Sequence, residues 1–440
     1  MRRWNGAIVS AFLLMILAGT TFAADLKVNG EYRVRGYYYS DTDGNGTTLD
    51  SSDYFDQRFL LKGIISQGIT TGVFEMQMVN SPSNGQGGYI LGTGPPFGGQ
   101  LNYNGTSNQG VGIYQAYLSA KWSGATLNAG RQELKLGHGM AFYSTVDGFT
   151  MAFPMEFMEL TAGYLKIKEA NSFKTGASTD TDENALLFSL VTKSSGSNFG
   201  AFYLSDSDKS YTSVSGSDST TNIFGFFMDS APGPSGVAIE YDNISGQDGC
   251  VFNNIALPPA CTLPAGAAPL NRVGTNLFVG GHASMGSIIT GIAYIRATGA
   301  GAGSTTDVSY NSLGGGGDFT GGHGVLFYNP TNFHNGVDFN GMEKAWNITT
   351  GIHAVRLSAD FVPNPLTIVS IQYFPFVHMT DVLPGSGDNV GTEFNLSVDY
   401  TIDKNLKVNT VYAYFGPGDG IQPVSPTTIM EFHAGLTFTF

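Results

Sequence analysis

The chain has 440 residues and a formal net charge of −14; 13% of its residues are charged, 12% are aromatic and 60 are glycine. The acidic balance excludes a nucleic-acid partner. Past residue 23 no stretch reaches about 18 consecutive apolar residues, which excludes helical membrane spans, and no linker or composition break divides the chain into separate domains.

Arg2 and Arg3 open a positive segment, Ala7 to Ala18 is an apolar run, and Thr21-Phe22-Ala23 supplies small residues before a cut at Ala23/Ala24. These regions in this order predict a signal peptide over residues 1–23 and a mature domain over 24–440. A buried N-terminal helix is the alternative. No cysteine follows the cut, so no lipoprotein anchor is expected.

The next segment, Leu26 to Tyr39, alternates with period two. Lys27, Asn29, Glu31, Arg33 and Arg35 are polar, whereas Leu26, Val28, Gly30, Tyr32 and Val34 are apolar or small. A strand puts each set on its own face and a helix does not. Asp41, Asp43 and Asn45 then resemble the start of a calcium loop, but Ser52 stands where a bidentate Glu belongs. A solvated loop between strands is the plainer reading.

Similar segments follow at 54–67, 69–80, 110–121, 124–136, 147–155, 157–169, 184–194, 197–206, 221–230, 234–245, 272–285, 287–297, 346–361, 364–380, 390–402, 404–416 and 426–440. That makes about eighteen strands, mostly near the length of a tilted membrane strand. The connections alternate short and long. Short ones include Trp122-Ser123-Gly124, Val362 to Pro365 and Asp403-Lys404; long ones include 81–109, 246–271 and 298–345. Short periplasmic turns and long extracellular loops give this parity, with the N-terminus in the periplasm. The fold class is therefore all-β, a transmembrane antiparallel up-and-down β-barrel in a bacterial outer membrane. Its mean hydropathy of −0.01 fits an apolar outside and a polar inside.

Cys250 and Cys261 share one long segment. An oxidising compartment predicts a disulfide between them, with two separate thiols as the alternative. The segment 298–345 is expected to be the largest extracellular loop, folding partly into the lumen, because a barrel of about eighteen strands is roughly 35 Å across. Gly314 to Gly317 lacks a following Lys-Ser/Thr and is no phosphate loop. The last segment alternates Met430, Phe432, Ala434, Leu436, Phe438 and Phe440 with Glu431, His433, Gly435, Thr437 and Thr439. A terminal amphipathic strand ending in an aromatic resembles the signal read by barrel-assembly machinery. Aromatic clusters such as Tyr37-Tyr38-Tyr39, Tyr54-Phe55 and Trp122 suit interfacial girdles in contact with outer-membrane lipids.

The polar rows supply the candidate pore lining: Lys27, Glu31, Arg33, Arg35, Asp56, Arg58, Lys62, Glu75, Arg356, Glu393, Asp399 and Glu431. A cationic side chain on the lipid face would cost about 2–4 kcal/mol at mid-depth, so the lumen is the better place. The first strands bring a basic sector beside an acidic one in the last strands. Mild anion preference is one reading of that patch; salt bridges that only stiffen the wall are the other. The seven histidines are scattered, with none paired at metal-ligand spacing. No G-x-S-x-G motif accompanies the strand histidines His353, His378 and His433, so neither an enzyme nor a cofactor is expected.

Gly112 to Gly137, containing QAYLSAKWSGATLNAGRQELKLG, and Val390 to Gly418, containing VGTEFNLSVDYTIDKNLKVNTVYAYFGPG, resemble the alginate-export-like porins of Gram-negative outer membranes. The resemblance implies a monomeric barrel of about eighteen strands with a basic lumen. It also implies that Arg131 and Glu133 line the pore. Three functions are compatible with all of this. The leading one is a passive channel for small hydrophilic solutes or ions. The others are an exporter of an acidic polysaccharide and a structural sleeve for a partner such as a cytochrome.

Overall fold

The computed structural model describes residues 24–40, 51–80, 111–168, 183–194, 196–208, 219–230, 235–248, 270–298, 306–307, 352–380, 387–420 and 427–440. The strands are Asp25–Tyr39 (β1), Ser52–Gln67 (β2), Thr70–Asn80 (β3), Val111–Trp122 (β4), Ala125–Leu136 (β5), Phe142–Pro154 (β6), Met158–Lys168 (β7), Glu183–Ser194 (β8), Ser197–Asp208 (β9) and Ser219–Ser230 (β10). They continue as Ser235–Asp248 (β11), Leu270–Met285 (β12), Ile288–Ala297 (β13), Thr306–Asp307 (β14), Ile352–Asn364 (β15), Thr367–Met379 (β16), Asn389–Asp403 (β17), Leu406–Pro417 (β18) and Ile429–Thr439 (β19).

Each long strand pairs antiparallel with the next; β13 pairs directly with β15, and β19 pairs with β1. The result is a closed 18-strand barrel, which leaves no free sheet edge. β14 is an addition: Thr306 and Asp307 lie parallel to Asn271 and Arg272, the stretch of β12 beyond its pairing with β13. No helix among the described residues is long and apolar enough to cross a membrane.

Most strand ends fall within three residues of the sequence reading, and one differs by more. β6 begins at Phe142, not 147, because Phe142 to Val146 pair with Leu136 to Gln132 of β5 across the tight 137–141 turn. That turn is short although its place in the chain is that of a long loop, so it breaks the expected parity. β15 is described from Ile352; the expected start at 346 lies outside the described residues. The calcium-loop residues Asp41, Asp43 and Asn45, the cysteines Cys250 and Cys261, and most of 298–345 also lie outside them.

The period-two pattern maps onto two faces. Val28, Leu118, Phe149, Phe224, Ile292 and Phe432 come from all round the ring and are 48–60% exposed. A continuous girdle of large apolar side chains is the lipid-facing surface of a barrel. The inward face is less uniform than its sequence suggested. From β7 to β11 the inward rows carry Leu165, Ala185, Leu187, Phe202, Leu204, Ile223 and Ile244, and all are buried in one apolar cluster. Leu136, Ala141 and Phe142, beside the β5–β6 turn, pack into that same cluster. A polar lining was expected throughout. Here the turn lies inward, and its apolar side chains meet apolar partners on the wall.

Candidate functional site in the barrel interior

The seam where β19 meets β1 gathers four polar or aromatic groups. Register sets Tyr37 opposite His433 and Arg35 opposite Gly435. The Arg35 guanidinium lies 5.1 Å from the centre of the Tyr37 ring, and that ring is 4.8 Å from the His433 ring. His433 Nδ1 meets Glu431 Oε1 at 2.9 Å. A Cβ at Gly435 would stand 2.6 Å from the Arg35 Cγ, so glycine there lets the arginine stem cross the seam. Arg33, Arg35, Glu431 and His433 are all buried.

Charge pairs continue along the wall. Arg58 Nε donates to Glu31 Oε1 at 3.0 Å, and its Nη2 reaches the same oxygen. Lys62 Nζ meets Glu75 Oε2 at 3.0 Å. The Gln115 amide donates to Glu75 and to Glu133, each at 3.3 Å, and so joins β3, β4 and β5. On the other side of the seam Asn395 donates to Glu393 and Asn409 donates to Asp399, both at 2.8 Å. Of these carboxylates Glu75 and Glu393 are buried, and the bonds offset the cost of burying them.

The remaining sequence candidates are placed differently. Lys27 sits at the strand start, 68% exposed and 3.9 Å from Asp25. Asp56 stands opposite Arg35 in the ladder; its side chain lies outside the described residues. Arg131 forms an ion pair with Asp147 at 3.2 Å. Beside that pair Gln132 and Thr150 are buried and bonded to each other at 2.8 Å. Arg356 lines a wall cavity of about 270 Å³ with His282, Ser358, Asp360 and Phe278.

A second polar cluster was not legible in the sequence. His138, in the β5–β6 turn, reaches β10 and β11. Its Nε2 is 2.7 Å from Asp229 Oδ1 and its Nδ1 is 3.0 Å from Glu240 Oε2. Its backbone N–H also donates to that Glu240 oxygen. The ring stands edge-on to Phe278 and Phe227, with centroids at 5.5 and 6.0 Å. Burial alone would lower the His138 pKa, but the hydrogen bonds and charges of Glu240 and Asp229 outweigh it and hold it above the ordinary 6.5. Next along β11, buried Asp242 accepts from Asn276 at 3.3 Å. The available signal was the inward alternation Ala238, Glu240, Asp242, Ile244, which plants two carboxylates in an apolar row.

The histidines are not all isolated. His353 and His378 face each other in the β15–β16 ladder with rings stacked at 5.5 Å, and His378 Nδ1 is 3.2 Å from Asp388. Among the described residues no group of three or more His, Cys, Asp or Glu side chains could hold a metal ion.

The architecture is that of an outer-membrane porin barrel. Solved structures of that kind align along nearly the whole chain. Acinetobacter baumannii OccAB1 is 13% identical with a TM-score of 0.58, covering 94% of this chain and 96% of its own. Pseudomonas aeruginosa OccK5 (OpdH) is 15% identical with a TM-score of 0.53, covering 94% and 98%. Pseudomonas aeruginosa OccK2 (OpdF), solved in complex with glucuronate, is 12% identical with a TM-score of 0.51, also covering 94% and 98%. No family model and no curated protein matches the chain. These neighbours are porins, but of the Occ/Opd kind and not the alginate-export-like kind. The resemblance seen at residues 112–137 and 390–418 is thus matched at the level of the porin-type barrel fold, and the family is not shown.

Proposed function

We propose that this chain is a passive outer-membrane channel for small hydrophilic solutes or ions. The observation that carries the proposal is a closed barrel whose outer face is apolar all round and whose seam sector turns charged residues inward. Arg33, Arg35, Arg58, Lys62, Glu31, Glu75, Glu393, Asp399 and Glu431 line the water path in this reading, with Arg356 on β15, four strands from β19. The porin barrels that align over the chain support the reading. The glucuronate in OccK2 makes a small acidic sugar a sensible first solute to test.

Removal of residues 1–23 precedes insertion, and barrel-assembly machinery and outer-membrane lipids are the partners of folding. N-terminal sequencing of the mature protein should begin at Ala24. Purified protein in planar bilayers should give stepwise ohmic conductance. Vesicles carrying it should swell in glucuronate and in a neutral sugar of similar size. A folded, heat-modifiable barrel that neither conducts nor swells vesicles would instead favour the structural sleeve.

A further inference from the structure

We propose that the 137–141 turn is an internal strap through the lumen, held to the wall at β10 and β11 by His138 bridging Asp229 and Glu240, and that the channel widens when this bridge is released at alkaline pH. The proposal rests on the channel reading above.

The geometry comes first. The turn leaves the wall between β5 and β6 yet contacts β10, β11 and β12, four to six strand positions further round. A contact that skips the intervening strands must run across the interior and not along the wall. Leu136, Met140, Ala141 and Phe142 are at most 4% exposed, so the strap is packed and not hanging in solvent. Gly137 has φ +57° and lies so close to the wall that a Cβ would be 2.6 Å from Glu240 Oε2. Only glycine takes that conformation at that separation without cost.

The polar part of the attachment is almost wholly His138. Asp229 faces it from β10 and Glu240 from β11; β12 presents the neutral Phe278, and the turn itself carries no other titratable residue. A neutral imidazole has one N–H donor and one lone pair, so it satisfies one carboxylate and turns its lone pair on the other. The imidazolium donates from Nε2 to Asp229 and holds its positive charge against Glu240, 3.0 Å from Nδ1. Glu240 is fully buried, and loss of its cation would leave a buried carboxylate short of a partner. The sign follows. The folded-state pKa is raised, so the attachment is complete below 6.5 and is lost as pH rises through the raised value. Each unit of displacement corresponds to a roughly ten-fold bias toward the attached state.

The test uses the full-length protein with two readouts. The first is single-channel conductance from pH 5.5 to 9 for wild type, His138→Gln and Glu240→Gln. The second is thiol labelling of Met140→Cys in a Cys250→Ser, Cys261→Ser background, in detergent, over the same range. Heat-modifiability on gels confirms that each variant is folded. Wild type should step up in conductance by about two-fold as the lumen widens with pH. Labelling of the buried position 140 should accelerate by about ten-fold or more across the same step. Both substitutions should give the high-conductance state at every pH. Conductance and labelling that are flat with pH overturn the strap and leave the channel standing. So does a Glu240→Gln variant with the wild-type profile. Absence of conductance at every pH overturns the channel reading, and the labelling series then decides the movement of the strap alone.

Discussion

Gly30 and Phe440 exchange both of their backbone hydrogen bonds, at 2.9 and 3.1 Å, and this exchange lies at the end of the seam between β1 and β19. The Phe440 ring covers the bare glycine: a Cβ at position 30 would fall 2.2 Å from its Cζ and 2.7 Å from the Leu60 carbonyl oxygen. The ring could swing away, but the Leu60 oxygen is backbone. Gly30→Val is therefore expected to destabilise the barrel by about 1–3 kcal/mol, the usual cost of overpacking. Gel migration of unheated samples after stepwise heating should show unfolding at a lower temperature than wild type. Deletion of Phe440 should shift it the same way, since both hydrogen bonds go with it.

The pair Arg58–Glu31 makes a second prediction. Both side chains are about one-fifth exposed, at 18% and 23%. Their coupling should lie between the roughly 1 kcal/mol of surface pairs and the 3–5 kcal/mol cost of breaking buried ones. Arg58→Glu sets two carboxylates face to face and removes a cation from the inward row. Reversal potentials in a salt gradient should move toward cation preference, and Glu31→Arg on top of it should move them back. If Arg58→Glu leaves the potential unchanged, the pair only stiffens the wall.

The sequence disclosed the barrel because each strand carries its own evidence. In Asn389–Asp403 the buried row is Glu393, Asn395 and Ser397, while Tyr400 and Ile402 remain exposed, as the alternation alone implies. What it hid are contacts between residues that no local period relates. Gly137-His138-Gly139 reads as an ordinary tight turn, and its partner Glu240 lies 102 residues away. Alternation assigns Glu240 to a face but not to a neighbour across the interior. His353 and His378 are 25 residues apart by number and meet through the Pro365-Leu366 turn and the bulges between Val355 and Leu357 and between Phe374 and Val377. A ladder with bulges has no register that spacing can reveal. Arg131 followed a motif resemblance, and its ion pair with Asp147 became visible only with the fold.

The outer face permits a sharper test of membrane exposure. Phe224 lies mid-strand in β10, is 51% exposed, and alternates with fully buried Ile223. Phe224→Arg is expected to cost about 2–4 kcal/mol if the side chain meets the hydrocarbon core. Phe224→Leu, which keeps an apolar surface, should cost far less. Denaturant unfolding in lipid vesicles gives both values. Equal costs would remove Phe224 from the lipid-facing band.

The last prediction concerns orientation. Gly68-Ile69, Ser123-Gly124, Gly286-Ser287, Pro365-Leu366 and Lys404-Asn405 all connect strands at one end of the barrel, the end where β1 begins and where Phe440 meets Gly30. Ser123 and Gly124 have φ of +51° and +88°, the paired left-handed values of a tight hairpin turn. Connections this short can hardly fold back over the barrel mouth. The opposite end carries the long connections 81–110, 249–269 and 308–351. A barrel inserted with its short turns in the periplasm exposes the long end to the medium. An epitope placed between Ser123 and Gly124 should therefore be reached by antibody only after the outer membrane is permeabilised. The same epitope near Gly315 should be reached on intact cells. Labelling of the first on intact cells and of the second only after permeabilisation would invert the barrel. Heat-modifiability of each tagged protein shows that the epitope sits on a folded molecule, so an inverted result could not be blamed on misfolding.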